Sequence, residues 1–85
     1  MVDNMATTSI NESVGVIKKL HIEHGKVELE TIIAYLLNLK DIDNDKDITL
    51  AKRNIFLQEL FECDVLTYDR YKTLNDFIYG IHQNW

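Results

Sequence analysis

The sequence predicts an all-α protein, a small antiparallel bundle of about four helices. Three observations carry that expectation. The 85 residues hold no proline and only three glycines, too few turn residues for a β meander. Apolar side chains recur at helical spacing in four separate segments. Apolar content is 46%, ample for a core and too high for disorder. A chain of this length is one domain, and it buries only about 60% of its unfolded surface, which leaves a thin stability margin.

Residues 1–8 are polar and aperiodic and are expected to form a flexible N-terminal tail, with a single helical domain over 9–85. Ser9 and Glu12 make a Ser-x-x-Glu capping box for a first helix over 10–24. Ile10, Val14, Ile17 and Leu20 share one face of it, and Val16 widens that face. His21 and His24 fall on it near its end, and Gly25 is placed to close the helix in the left-handed conformation.

A second helix is expected over 27–40, VELETIIAYLLNLK, the most apolar run in the chain. Glu28 and Glu30 suit the positive end of its dipole. Its apolar arc covers more than half the circumference and leaves a polar strip at Glu30, Thr31 and Asn38. A surface helix shows roughly a 100° stripe, so this one is expected to be central, paired with the first helix as a hairpin across Gly25.

Residues 41–47, DIDNDKD, read as an acidic loop, with Asp47 as the N-cap of a third helix over 48–62. That helix has two separated apolar stripes. Leu50, Leu57 and Phe61 form one, with Leu60 beside it, and Ile48, Ala51 and Ile55 form the other. Thr67 caps a fourth helix over 68–82, where Tyr71, Leu74, Ile78, Ile81 and Trp85 follow a narrow 3-4-3-4 seam. Gly80 lies off that seam and costs about 1 kcal/mol of helix propensity against alanine.

The same residues exclude most functional classes. A net charge of −5 lacks the basic excess of nucleic-acid binders. One cysteine, Cys63, cannot build a disulfide framework. The N-terminal residues lack a signal-peptide h-region, and no apolar run reaches membrane-spanning length. The expected setting is cytoplasmic. Isoleucine, asparagine, lysine, phenylalanine, tyrosine and methionine far outnumber glycine, alanine, arginine and proline, as in chains from AT-rich genomes. A low-GC bacterium or its phage is the expected source.

The acidic loop places Asp41, Asp43, Asp45 and Asp47 at positions 1, 3, 5 and 7 of a calcium loop. Lys46 and Lys52 then stand where that loop needs its turn glycine and its bidentate glutamate, so the loop reads as a solvated cap. His21, His24, His82 and Cys63 have zinc-ligand chemistry, but nothing in their spacing makes them converge. No metal and no cofactor are expected. Glu62 and Asp64 beside Cys63 oppose thiolate formation, and no nucleophile–base or phosphate-binding motif is present. The chain reads as a non-enzyme.

What remains is surface. The first expectation is a small acidic regulator or inhibitor that binds another protein stoichiometrically. Leu50, Arg53, Leu57, Phe61, Tyr68, Tyr79 and Trp85 are its candidate anchors, together with the second stripe of the third helix, because buried aromatics and arginine dominate interface energetics. Asp41, Asp43, Asp45 and Asp47 are candidates for steering a basic partner surface. Homodimerisation through the same surplus apolar area is a companion expectation. The alternatives are a helix-turn-helix DNA-binding regulator, with Lys52, Arg53, Asn54 and Gln58 at base edges, and a structural or assembly subunit. In type, though with no residue-level motif, the chain is similar to the small inhibitor, immunity and anti-factor proteins of bacteria and their phages.

Overall fold

The computed structural model describes the backbone of residues 2–85 and the side chains from Ile10 onward. The expected all-α bundle is what the chain forms. Four helices follow in order: α1 (Val2–His24), α2 (Leu29–Asn38), α3 (Lys46–Glu62) and α4 (Tyr68–Gln83). No strand is present among the described residues. Each helix carries both buried and exposed side chains.

Helical backbone begins at Val2 rather than after Ser9. The side chains of residues 1–9, and with them Ser9 of the expected capping box, lie outside the described residues. Ile10, Val14 and Ile17 are buried as the spacing predicts, whereas Val16 is exposed. The three buried side chains follow one another at about one helical turn, four and three residues apart, so the buried stripe is narrow and Val16 lies beyond its edge. Gly25 closes α1 with φ +79°, and its N–H donates to the His21 carbonyl at 2.8 Å.

α2 is shorter than expected, but Val27 and Leu39, just outside its ends, are buried with Ile32 and Leu36. The expectation that it forms the centre needs correction. The close backbone approaches are those of α3 with α4 and α3 with α1, so α3 is the hub. α2 reaches the core through long side chains at larger backbone separation. α1 makes its close backbone approach to α3.

α3 presents Thr49, Arg53, Phe56, Leu57 and Leu60 inward. Its N-cap is Asp45, not Asp47. The Asp45 carboxylate accepts from the N–H groups of Asp47 and Ile48 at 2.9 and 3.0 Å, which satisfies two of the free donors at a helix start. Its C-terminus ends in a Schellman motif. Asp64 takes the left-handed position with φ +64°, Val65 N–H returns to the Leu60 carbonyl at 3.0 Å, and Asp64 N–H bonds to Phe61.

α4 starts as predicted, with the Thr67 hydroxyl accepting from Arg70 N–H. Leu74 and Ile78 of its seam are buried, and Tyr71 packs against the core. His82 near the end of α4 meets Asp47 near the start of α3, and Phe61 near the end of α3 meets Tyr68 and Tyr71 at the start of α4. The two helices therefore run antiparallel.

Candidate functional site

The only two arginines in the chain are both directed at backbone carbonyls that bracket α2. Arg53 is 2% exposed. Its Nε donates to the Leu36 carbonyl at 2.8 Å and its Nη2 to Leu37 at 3.5 Å. Those carbonyls are among the last four of α2, which lack the i+4 donor of the helix interior; Leu36 also accepts from the Leu39 N–H at 3.2 Å, and the guanidinium lies at the negative end of the helix dipole. Burial lowers the Arg53 pKa from its ordinary value by desolvation. Arg70 reaches the other end, where its Nη1 donates to the Val27 carbonyl at 2.7 Å.

Arg53 is thus unavailable to a partner, which corrects its placement among the anchors. Leu57 is corrected in the same way, being fully buried, and Leu50 is half-buried against the core. The stripe read through Leu50, Leu57 and Phe61 counted apolar residues alone. The stripe that packs runs through Thr49, Arg53, Phe56 and Leu60, and its spacing of four, three and four residues was present in the sequence, masked by an arginine and a threonine. The Thr49 hydroxyl is used as well, accepting from Asp41 N–H at 2.9 Å.

The remaining anchor candidates are exposed, in two separate places. Phe61 stacks on Tyr71 with ring centroids 4.9 Å apart and meets Tyr68 edge-on at 6.4 Å. This aromatic ledge spans the α3–α4 junction, with Phe61 and Tyr68 open to solvent. Tyr79 and Trp85 are exposed toward the other end of α4.

The second stripe of α3 faces outward. Ile48 is 47% and Ile55 48% exposed, and Ala51 between them is exposed. On the helical wheel these three sit opposite the buried stripe. Gln58, Glu59 and Glu62 continue the exposed side of the helix. Lys52 does not balance those carboxylates. Its ammonium lies 3.8 Å from the Asp41 carboxylate, with the Lys52 side chain 16% and the Asp41 side chain 10% exposed, and it also reaches the Lys40 carbonyl. The accessible face of α3 is therefore apolar at its centre and acidic toward its C-terminal end.

The four loop aspartates divide by role. Asp41 is turned inward, accepting from the N–H groups of Asp43 and Asp45 as well as facing Lys52, so it is corrected from a steering charge to the organiser of the loop. Asp45 caps α3. Asp47 is largely open to solvent and holds His82 Nε2 at 2.8 Å. Asp43 projects with no side-chain partner among the described residues.

The zinc-type residues are dispersed. His82 is on Asp47, Cys63 is exposed at the C-cap of α3, and His21 and His24 lie at the end of α1. No group of three histidine, cysteine or acidic side chains placed to hold a metal occurs among the described residues. His24 lines a small cleft of about 250 Å³ with Leu20, Lys26, Val27, Glu28 and Thr31. His21 Nδ1 is buried without a hydrogen-bond partner among the described residues. No described helix is long and apolar enough to cross a membrane. Compared with protein-family models, curated proteins and solved structures, the chain matches none.

Proposed function

We propose that this chain is a protein-binding regulator that docks a partner on the outward face of α3. The single observation that carries the reading is the arrangement on that helix. Ile48, Ala51 and Ile55 point away from the core, while both interior cations, Lys52 and Arg53, are turned inward and engaged. The strip is not used by the core, and a rim of Glu59 and Glu62 suits a partner with basic groups around an apolar anchor. The Phe61–Tyr68 ledge extends the same helix with the residue type that dominates interface energetics. Such binding acts by occlusion, at one partner per face.

The helix-turn-helix reading is weakened by the same geometry. Its two base-reading cations would be Lys52 and Arg53, and removing either from its present contacts breaks the α2–α3 junction.

The test is affinity capture from the source cell with the native chain and an Ile48→Asp/Ile55→Asp variant run side by side, each checked for helical content. The expected result is a basic protein retained by the native chain, released by rising salt and lost with the variant. Identical retention by both chains, or a salt-sensitive shift of duplex DNA by the native chain, overturns the reading.

A further inference from the structure

We infer that the outward face of α3 takes the outward face of α1 from a second copy of this chain, in a head-to-tail contact that seats Ile22 of one copy in the apolar strip of the next. This contact rests on the reading of α3 as a docking face and names its occupant. α3 offers an apolar strip with an acidic end. What fits it is an apolar side chain with cations on the matching side, and α1 carries one.

Ile22 is 79% exposed, the most exposed of the large apolar side chains among the described residues. Lys18 and Lys19 precede it by about one turn and are both exposed. Neither has a carboxylate within ion-pair distance among the described residues. Gly15, a further turn back, is exposed and adds neither bulk nor charge. The carboxylates of the same helix, Glu12 and Glu23, lie about 80–100° round from Ile22 at 100° per residue. Lys18 stands on the side of Ile22 away from both.

On α3, Ile48, Ala51 and Ile55 follow at i, i+3 and i+7, so the small Ala51 forms a hollow between two isoleucines. Ile22 over Ala51 sets the register. In an antiparallel pairing, residues before Ile22 meet residues after Ala51. Helical side chains lean toward their own N-terminus, so Lys18 and Lys19 reach toward Glu59 and Glu62 while those glutamates lean back to meet them. Glu62 accepts only from the neutral Gln58 amide, at 3.2 Å, and Lys52 is drawn inward to Asp41, so the acidic end keeps its charge. A parallel pairing would aim the lysines at Asp47, which already holds His82, and would align the two helix dipoles instead of opposing them.

A foreign basic protein on α3 would leave Ile22 and its lysines in water. A second copy covers both unpartnered faces with one contact and sets opposite charges across it. Because the two faces differ, the contact is heterologous and leaves a free face at each end of a pair. The net charge of −5 on each copy opposes approach, and a contact one helix wide is small, so the association is weak and concentration-dependent.

Sedimentation velocity on the full chain, from low micromolar to near-millimolar, tests this, with helical content checked for every variant. The native chain is expected to associate as concentration rises. Ile22→Asp blocks the α1 face and Ile55→Asp the α3 face, so each variant alone should bind itself at least about tenfold more weakly. Mixed one to one, the two variants should form a heterodimer that grows no further, because one intact α1 face meets one intact α3 face. Lys18→Glu/Lys19→Glu should behave as Ile22→Asp does, and should regain association when mixed with Glu59→Lys/Glu62→Lys. A native chain that stays monomeric throughout the series overturns the inference, as does a mixture of Ile22→Asp and Ile55→Asp that forms no pair, or an Ile22→Asp variant that associates like the native chain. If any of these occurs while capture of a basic protein still depends on Ile48 and Ile55, the docking reading of α3 stands without a second copy as its occupant.

Discussion

Arg53 Nε donates to the Leu36 carbonyl at 2.8 Å, from a guanidinium that is 2% exposed. This bond joins the hub helix to the end of the helix that packs most loosely by backbone. It adds a charged donor to a carbonyl that otherwise accepts only from the Leu39 N–H, at 3.2 Å, and a positive charge at the negative end of α2. With Arg70 on Val27 at the other end, α2 is held at both ends by side chains from the α3–α4 pair.

Removing Arg53 should be among the most damaging single polar changes. Arg53→Ala leaves two carbonyls without their charged donor and opens a buried space, for an expected loss of about 2–4 kcal/mol in urea unfolding. Arg53→Lys keeps the charge but not the fork, and should recover only part of that loss. A variant as stable as the native chain would mean that the carbonyls are satisfied some other way.

The two faces of α3 should respond oppositely to truncation. Leu57→Ala removes a fully buried side chain and should destabilise by about 2–5 kcal/mol. Ile55→Ala, on the outward stripe, should stay within about 0.5 kcal/mol of the native chain. Equal losses at the two positions would mean that the outward stripe is covered in the isolated chain, and the proposed docking face would go with it.

Capping of α3 gives a comparison between two aspartates. Asp45→Ala should cost about 1 kcal/mol, because its carboxylate holds two N–H groups. Asp47→Ala should cost less, since its side chain is largely in water and holds only His82. Thermal melts at matched concentration check the order, and the reverse order would restore Asp47 as the cap.

Asp64 offers a gain. It occupies a left-handed position at φ +64° in the Schellman turn, a conformation in which an L-residue is strained and glycine is not. Asp64→Gly should stabilise by about 0.5–1 kcal/mol, raising the melting midpoint by several degrees in a domain this small. A drop in the midpoint would show that the Asp64 side chain contributes more than its backbone strain removes.

The sequence by itself determined what depends on residues three or four apart. Four helices, the left-handed stop at Gly25, the Thr67 cap, the Leu74–Ile78 seam and the opposed position of Ile48, Ala51 and Ile55 all follow from helical periodicity and local hydrogen bonding, which neighbours in the chain decide. Tertiary structure alone decided which helix is the hub and that Arg53 is a buried clamp; the Asp45 cap is local, two and three residues from its donors, and was ambiguous because Asp41, Asp43, Asp45 and Asp47 all have capping chemistry. The Arg53 acceptors lie 17 and 16 residues away, and the Arg70 acceptor 43, so helical spacing could place Arg53 on the buried stripe but no local pattern names the carbonyls that either arginine holds. Asp41 is the same case on a shorter scale. Its carboxylate turned inward because Lys52 and the loop N–H groups converge on it once α2 and α3 are packed. The outward stripe of α3 could be read from spacing, but that it meets water rather than another helix was decided by where α1, α2 and α4 pack around α3, which no residues three or four apart encode.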